Sequence, residues 1–182
     1  MGFTRYGDKT KSLFKTPPVP AVDVRTMKAP ISKKSFKPAK YVMITGDKRI
    51  SPNNDADVKA ITSDDNIFKK DEDGNIIDIC GEKIKVVLIS QAGSEGLDFK
   101  GIRQIHILEP WYNINRIEQI IGRGVRNFSH KDLVFSKRNV EIFLYGTILQ
   151  GDSVNEEAAD LYVYRMSELK AVTIGKVSRV LK

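Results

Sequence analysis

The chain has 182 residues, of which 41% are hydrophobic and 29% are charged, and its formal net charge is +7. This length suits one domain with a hydrophobic core, and the absence of a run of about 18 apolar residues excludes a transmembrane helix. Cys80 is the only cysteine and the chain has two histidines, which argues against a disulfide framework and a zinc site. Because the sequence shows no signal peptide, we expect a protein of a reducing compartment without a membrane partner.

The positive charge indicates a polyanionic partner, and it is concentrated at the N-terminus. Residues 1–40 contain ten Lys and Arg against two Asp, a balance of +8, so the other 142 residues sum to −1. Five of the seven prolines lie within residues 8–40, which is typical of an extended, flexible segment. Two interpretations stay open: this segment lies along phosphates, or it is an unstructured insertion.

The first strand signal is Tyr41–Thr45, and Gly46 with Asp47 forms the turn after it. Ser51 before Pro52 has the pattern of an N-cap followed by proline at the first helical position. The sequence therefore predicts a helix over residues 52–61.

Residues 64–79 are predicted to form a β-hairpin. Phe68–Lys70 and Ile76–Ile79 flank the segment Asp71–Asn75, which contains an Asp-Gly turn signal. The acidic residues of this turn lack the buried strand that precedes a metal-binding motif, so we reject a metal site there.

The segment from Val86 onward combines two strands, a loop and a helix. Val86–Ile89 and Ile105–Leu108 are short apolar runs typical of buried parallel strands. Between them, the loop Ser90–Gly101 places three glycines around Glu95 and Asp98. Pro110 ends the second strand, and Asn113 or Asn115 caps a helix predicted over residues 114–124.

The helix at 114–124 has two faces at about 100° per residue. Its apolar side is formed by Ile114, Ile117, Ile121 and Val125, and its polar side by Gln119, Arg123 and Arg126. Gly122 and Gly124 each cost about 1 kcal/mol inside a helix relative to alanine. Either the backbone approaches a neighbour closely there, or the helix stops near Gly124.

Two interpretations of the arginine row stay open. Arginine suits planar, bidentate contact with phosphate oxygens, which indicates a polyphosphate-binding surface. The alternative is a solvated basic face with surface ion pairs, for example with Glu118.

The remaining elements complete an α/β pattern. Strands at 86–90, 105–108 and 140–145 are expected to join 41–45 in one mainly parallel sheet, with crossover helices at 52–61 and 114–124. Every polar motif follows the carboxyl end of a strand, where ligands bind in open α/β sheets. A linker at 148–155 leads to a helical run over 156–180, which Gly175 is expected to break or kink. His106 is expected in the core, His130 in a local hydrogen bond, and Trp111 with Tyr112 at the helix start, either packed there or stacked on a base.

Two of these motifs resemble those of superfamily 2 helicases and translocases. Gln119-Ile-Ile-Gly122-Arg123-Gly-Val-Arg126 matches the family pattern Q-x-x-G-R-x-x-R, and Ser90–Asp98 resembles the preceding motif, which ends in G-L-D. Within that superfamily, Ile107–Asn113, Ser129-His130 and Glu157–Tyr162 resemble helicase-like proteins of large nucleocytoplasmic DNA viruses, including the poxvirus-type nucleoside triphosphatase and early transcription factor helicases. Gly2–Tyr6 resembles the end of the first helix of the same lobe, so the chain is expected to be a fragment.

This resemblance implies an α/β fold: a single RecA-like lobe with a mainly parallel sheet flanked by helices, a flexible N-terminal arm and a helical C-terminal tail. The implied domains are a partial lobe start with a basic segment at 1–40, the lobe at 41–147, and a linker with a helical extension at 148–182. Such a lobe supplies half of an ATP site, while a missing first RecA-like lobe brings the phosphate loop and holds Mg²⁺. The sequence contains no G-x-x-x-x-G-K-[ST] loop, so this chain alone is expected to be inactive.

The resemblance also implies residue roles. Arg126 is the implied arginine finger on the γ-phosphate, Arg123 a second phosphate contact, and Gln119 a hydrogen-bonding partner of both or of the nucleotide. Asp98 accepts from the ribose or holds the arginines, and Gly96 lets the backbone come close. The implied nucleic-acid contacts are Ser90, Thr45 and Gly46.

The implied partners are DNA or RNA, the first RecA-like lobe and a viral RNA polymerase. The implied location is the virion and host cytoplasm for a viral protein, and otherwise the inside of a cell as a soluble protein. The alternative function is a non-catalytic nucleic-acid-binding or polymerase-binding module derived from such a lobe. A dinucleotide-binding oxidoreductase is rejected, because Gly93-x-x-Gly96 does not follow the G-x-G-x-x-G spacing.

Overall fold

The computed structural model describes residues 2–7, 21–30, 36–91, 97–149 and 156–181. It shows an α/β protein with parallel strands and a long C-terminal helix. The elements, in chain order, are β1 (Thr4–Arg5), β2 (Lys40–Ile44), α1 (Asn54–Thr62), α2 (Asp64–Ile67), β3 (Phe68–Lys70), β4 (Ile76–Ile79), β5 (Val86–Ile89), β6 (Gln104–Ile107), α3 (Ile114–Gly124), a short 3₁₀ helix (Phe135–Lys137), β7 (Glu141–Leu144) and α4 (Ala159–Val180). The chain divides into two compact units.

The first unit comprises Met1–Gly101 with Lys131–Phe135 and is built on a parallel sheet. Its strands lie in the order β1-β2-β5, and Ile44 of β2 pairs with Ile89 of β5. Apolar residues from strands, helices and loops are buried around this sheet: Ala39, Val42, Ile44, Ile61, Ile67 and Ile84. Leu88 and Ile89 of β5 are more than one-third exposed, so this strand is less buried than its apolar sequence predicts.

The same unit contains the hairpin that the sequence predicts. β3 and β4 pair antiparallel, and the Asp71 carboxylate accepts hydrogen bonds from the backbone N–H groups of Asp73 and Asn75 in the turn. Gly74 has a φ of +86°, a conformation that glycine adopts without a Cβ penalty. The Asp-Gly turn prediction is therefore confirmed.

The second unit comprises Ile102–His130 and Ser136–Lys182 and contains the parallel pair β6-β7. Residues of β6 alternate in burial along the strand: Ile107 is buried, whereas Gln104 and His106 are exposed. Helix α3 follows β6 and buries Ile117 and Gly124. The expectation that His106 belongs to the core is wrong, because its ring lies on the exposed side, stacked on Phe143 at 4.7 Å between ring centroids.

The α/β class with parallel strands and flanking helices is confirmed, but the strands do not form one sheet. Among the described residues, hydrogen bonds join β1, β2 and β5 in one sheet and β6 with β7 in another. The sequence does not separate these sheets, because strand pairing depends on contacts between residues that are far apart in the chain.

The N-terminal residues differ from expectation. Gly2–Tyr6 is not the end of a helix: the Thr4 N–H donates to the Ala39 carbonyl and the Tyr6 N–H to the Tyr41 carbonyl, which makes β1 a parallel edge strand. Residues 21–30 are ordered by backbone hydrogen bonds, with Asp23 and Val24 buried. The other residues between 8 and 35 lie outside the described part of the chain.

Two helix predictions also need correction. Helix α1 begins at Asn54 after Asn53, and Ser51 is not its cap, because the Ser51 side chain is buried and hydrogen-bonded to Thr45. Helix α4 continues through Gly175 to Val180 without interruption. None of the described helices combines the length and apolar character needed to span a membrane.

Candidate functional site

Two of the predicted nucleic-acid contacts lie side by side at the carboxyl edge of the first unit's sheet. Thr45 follows β2 and Ser90 follows β5, and the Ser90 N–H donates to the Ile44 carbonyl at 3.0 Å. This parallel register brings the two strand ends to the same level. Gly46 and Ser90 are both exposed there. The sheet edge is therefore accessible at the positions that the sequence singled out.

The loop after β2 is held by a compact hydrogen-bond network around Thr45. The hydroxyls of Thr45 and Ser51 lie 2.7 Å apart, and the Ser51 oxygen accepts from the Thr45 N–H at 3.0 Å. The Asn54 amide donates to the Thr45 carbonyl at 2.8 Å. The Arg5 guanidinium of β1 donates to the Ile50 carbonyl. The loop is thus anchored from both α1 and β1.

An ion pair adds to this loop. The Arg49 guanidinium contacts the Asp47 carboxylate at 2.7 Å, and the Arg49 N–H donates to the same carboxylate. Hydrogen bonding from Arg49 lowers the pKa of Asp47 below its usual value. With Lys48 exposed beside this pair, the loop presents a net positive charge.

Asp98 also belongs to the first unit. It is exposed, and it precedes the buried Phe99. Gly101 ends this segment with a φ of +67°, and a Cβ there would lie 2.6 Å from Cγ2 of Ile67. The backbone is therefore pressed against the core just after Asp98. Gly96 lies outside the described residues.

Three of the predicted nucleotide-contacting residues, Gln119, Arg123 and Arg126, lie in the second unit, around the end of α3. Gln119 is exposed and Arg123 half-buried, four residues apart on the helix, while Ile117 is buried. Helix α3 spans 114–124, as the sequence predicts. The amide and the guanidinium therefore occupy neighbouring positions on one face.

Helix α3 ends at Gly124, and the backbone also approaches a neighbour closely there. Both explanations for a glycine therefore hold at Gly124. A Cβ on Gly124 would lie 2.8 Å from Cδ1 of Ile105, so the backbone approaches its neighbour closely where the helix stops. Val125 is therefore not on the buried face, and half of it is exposed. Arg126 lies beyond the helix, in exposed chain.

A hydrogen-bonded turn fixes the chain after Arg126. The Ser129 N–H donates to the Arg126 carbonyl at 3.1 Å. The Ser129 hydroxyl lies 2.7 Å from Nδ1 of His130, and Nε2 of His130 lies 2.9 Å from the Ile102 carbonyl. The prediction of a local hydrogen bond for His130 is confirmed, and its role is to anchor the turn to the segment that enters β6.

The aromatic pair before α3 packs against cations of its own chain. The Arg116 guanidinium lies 4.3 Å from the centroid of the half-buried Trp111 ring. The Lys170 amine lies 5.6 Å from the Tyr112 ring, which is 52% exposed. This arrangement favours packing at the helix start over base stacking for Trp111.

Sequence reasoning missed Ser51, Asn54 and Arg5, which hold the loop after β2. A Ser-Pro pair is a helix-cap signal in sequence, and nothing local indicates that its hydroxyl turns back to Thr45. The carboxyl edge of the first sheet offers backbone and hydroxyl donors with positive charge, which suit a phosphate backbone. The end of α3 offers an amide and two guanidiniums, which suit a polyphosphate.

The parallel α/β architecture, with polar motifs following its strands, is that of a RecA-like lobe. Residues 35–128, just over half of the chain, match the family Helicase conserved C-terminal domain. The chain belongs to this family.

Similar proteins come from large DNA viruses. A protein of Acanthamoeba polyphaga mimivirus, named as a candidate ATP-dependent RNA helicase, is 36% identical over 127 residues, which cover 68% of this chain and 14% of that protein. Nucleoside triphosphatase I of Melanoplus sanguinipes entomopoxvirus is 40% identical over 94 residues, which cover 50% of this chain and 14% of that protein. A termination factor NPH-I homolog of African swine fever virus is 45% identical over 69 residues, which cover 38% of this chain and 10% of that protein. The matched stretch is thus a small part of each relative.

Proposed function

We propose that this chain is the C-terminal lobe of a superfamily 2 helicase or translocase, a nucleic-acid-dependent ATPase that acts in viral transcription or in DNA or RNA remodelling. The supporting observation is the family match over residues 35–128, which contains both polar motifs. The names of the viral relatives support the same class. The proposed lobe spans 41–147, with the basic segment 1–40 before it and the helical extension 148–182 after it.

The end of α3 is the proposed nucleotide-binding part. Arg126 acts as the arginine finger and Arg123 as a second phosphate contact, while Gln119 orients the nucleotide or the arginines. Gly96 and Asp98, in the loop before β6, are proposed as further nucleotide contacts. The donor set fits a polyphosphate, since guanidiniums pair with phosphate oxygens in bidentate geometry. When bound, ATP supplies the phosphoanhydride bond whose hydrolysis drives movement.

Mg²⁺ and the phosphate loop are assigned to a first RecA-like lobe, in the same protein or in a separate chain. The described residues contain no group of three metal-ligating side chains that fits an ion. Because the sequence contains no G-x-x-x-x-G-K-[ST] loop, we expect this chain alone not to hydrolyse ATP. Further proposed partners are single-stranded DNA or RNA and a viral RNA polymerase, and the proposed location is the virion and host cytoplasm.

The loop after β2 and the end of β5 form the proposed nucleic-acid-binding part. Thr45, Gly46 and Ser90 lie at one sheet edge, where exposed N–H and O–H donors meet the exposed Lys48. Contacts of this type position a protein on a phosphate backbone without reading its sequence.

The test is ATP hydrolysis with and without single-stranded DNA or RNA, measured on this chain alone and on this chain joined to a first RecA-like lobe from its own locus. We expect turnover only in the joined protein. Arg126→Ala should reduce the rate by about 10³–10⁵-fold, the range of an arginine finger. Arg179→Ala, at an exposed position near the end of α4, is the matched control and should leave the rate unchanged.

The same experiment separates the alternative, a non-catalytic nucleic-acid-binding or polymerase-binding module. The absence of a phosphate loop in this sequence favours that alternative for the chain on its own. The alternative would be established if the joined protein shows no ATP turnover and Arg126→Ala does not change its affinity for nucleic acid. The same result would reject the nucleic-acid-dependent ATPase.

A further inference from the structure

We propose that Thr45 and Ser51 are positioning residues that shape the loop after β2, and that the phosphate-facing donors are the Gly46 N–H and Lys48 of this loop and Ser90 at the end of β5. This inference rests on the proposed nucleic-acid interface and refines it. It reassigns Thr45, which the sequence pattern indicates as a direct contact. It also gives Ser51, Asn54 and Arg5 a function.

The Thr45 hydroxyl is already used within the loop. A hydroxyl has one donor hydrogen and two acceptor lone pairs. The Thr45 oxygen lies 3.1 Å from the Asp47 carbonyl and 2.7 Å from the Ser51 oxygen, and it accepts from the Asp47 N–H at 3.2 Å. Its single hydrogen therefore points either to the Asp47 carbonyl or to Ser51.

Phosphate oxygens only accept hydrogen bonds, so a hydroxyl that contacts them must donate. If Thr45 donated to a phosphate, it would give up its bond to Asp47 or to Ser51. Breaking an internal bond to make an external one gains little net free energy. The geometry thus assigns the hydroxyl to the loop itself.

Ser51 is inaccessible to a ligand. It is 1% exposed, and its oxygen accepts from the Thr45 N–H while lying 3.1 Å from the Thr45 carbonyl. A group this deeply buried acts on a ligand only through its neighbours. The Asn54 amide completes the clamp by donating to the Thr45 carbonyl. Together, the two side chains hold both backbone polar groups of Thr45.

Gly46 and Lys48 are exposed on the loop, and Ser90 is exposed at the neighbouring strand end. Asp47 would repel a phosphate, but its carboxylate is paired with Arg49 at 2.7 Å. Arg49 therefore balances the one negative charge of the loop. The exposed Gly46, Ser90 and Lys48 carry a backbone N–H, a hydroxyl and an ammonium.

The experiment is a double-variant cycle on the full chain, read by fluorescence anisotropy with a labelled single-stranded oligonucleotide, as DNA and as RNA. Thr45→Val and Ser51→Ala should each weaken binding by about two- to tenfold, the effect of one lost hydrogen bond. The double variant should lose no more than the larger single loss, because both substitutions break one clamp. Thr45→Ser keeps the hydroxyl and should bind like the unsubstituted chain.

The salt dependence of binding distinguishes positioning from charge contact. Lys48→Gln should reduce the slope of log affinity against log salt by about 0.7, since it removes one phosphate contact on a single strand. Thr45→Val and Ser51→Ala change no charge and should leave this slope unchanged. Ser90→Ala should weaken binding. In the double variant with Thr45→Val, the fold-losses in affinity of the two single variants should multiply. If Ser51→Ala does not fold, Asn54→Ala tests the same clamp.

Each contrary outcome has a distinct meaning. A loss with Thr45→Val but none with Ser51→Ala or Asn54→Ala, or multiplied losses in the double variant, would make Thr45 a direct ligand and overturn this inference alone. An unsubstituted chain that binds neither DNA nor RNA, or affinity unaffected by Lys48→Gln and Ser90→Ala, would overturn the proposed interface and the inference with it.

Discussion

Gly124 of α3 lies directly against Ile105 of β6. A Cβ on Gly124 would stand 2.8 Å from Cδ1 of Ile105 and 3.1 Å from Cγ2 of Ile102. Gly124→Ala should therefore lower the free energy of unfolding by about 1–3 kcal/mol through overpacking. Urea denaturation followed by circular dichroism measures this change.

Gly122 provides the matched control two residues earlier in the same helix. Nothing lies within 4 Å of a Cβ built on it, so Gly122→Ala should raise stability by up to about 1 kcal/mol through helix propensity. Equal effects of the two substitutions would contradict the close packing of α3 on β6.

Asp23 should make stability depend on pH. Its buried carboxylate accepts hydrogen bonds from the Arg25 guanidinium, the Arg25 N–H and the Lys37 N–H, and these lower its pKa well below the usual value. The stabilisation is therefore complete above about pH 4, the pKa of an unfolded Asp, and is lost as the pH falls further. The difference in urea midpoint between the unsubstituted chain and Asp23→Asn should be largest at pH 7 and should shrink steadily as the pH is lowered from 4 toward the lowered pKa of the folded state.

Asp57 offers a control of opposite sign. Burial raises the pKa of Asp57, so ionising it in the folded state costs stability as the pH rises. The free energy of unfolding of Asp57→Asn, relative to that of the unsubstituted chain, should accordingly be higher at pH 7 than at pH 3. If both variants follow the same trend, the hydrogen bonds to Asp23 are not the cause of its pH dependence.

Trp111 should contribute to stability and not to nucleic-acid affinity. Trp111→Leu removes apolar contacts of the indole ring and its cation–π interaction with Arg116. That interaction contributes about 0.5–1 kcal/mol. The thermal midpoint should fall while the anisotropy titration with single-stranded DNA or RNA stays unchanged. Weaker binding by Trp111→Leu, with Tyr112→Leu unaffected, would restore base stacking as the role of Trp111.

Gly175 lies in an unbroken part of α4 with nothing within 4 Å of its Cβ position. Gly175→Ala should raise stability by about 1 kcal/mol, because alanine loses less backbone entropy in a helix. Ala171→Gly in the same helix should change stability by a similar amount in the opposite direction. A loss of helical circular dichroism in Gly175→Ala would show that a bend at this glycine is required.

Local signals predicted those elements that local forces determine. Helix α3 was predicted with its observed bounds, because proline and asparagine precede it and glycines end it. The hairpin followed from its Asp-Gly turn. The positions of Thr45 and Ser90 followed from strand ends in a parallel sheet. In each case, a pattern of a few residues carries the information.

Elements that depend on distant contacts were not predictable in this way. Thr4–Arg5 is too short to show a strand pattern, and it becomes a strand only because Lys40 and Tyr41 offer an edge for pairing. Ser51 carries a helix-cap signal, yet its hydroxyl satisfies Thr45 across the loop. The exposure of His106 is a different case. Polar and apolar residues alternate along β6 in the sequence, and this alternation places His106 on the face opposite to that of Ile107.

The β3-β4 hairpin has a practical consequence for handling the molecule. Its turn projects exposed polar side chains, is closed by the Asp71 carboxylate, and contains Gly74 in a conformation that a flexible linker adopts easily. Exposed turns of this kind accept inserted sequence with little cost to the surrounding fold. A short peptide epitope or fluorophore-binding tag placed after Gly74 would report on this protein in cells while leaving both ends of this chain available for other fusions.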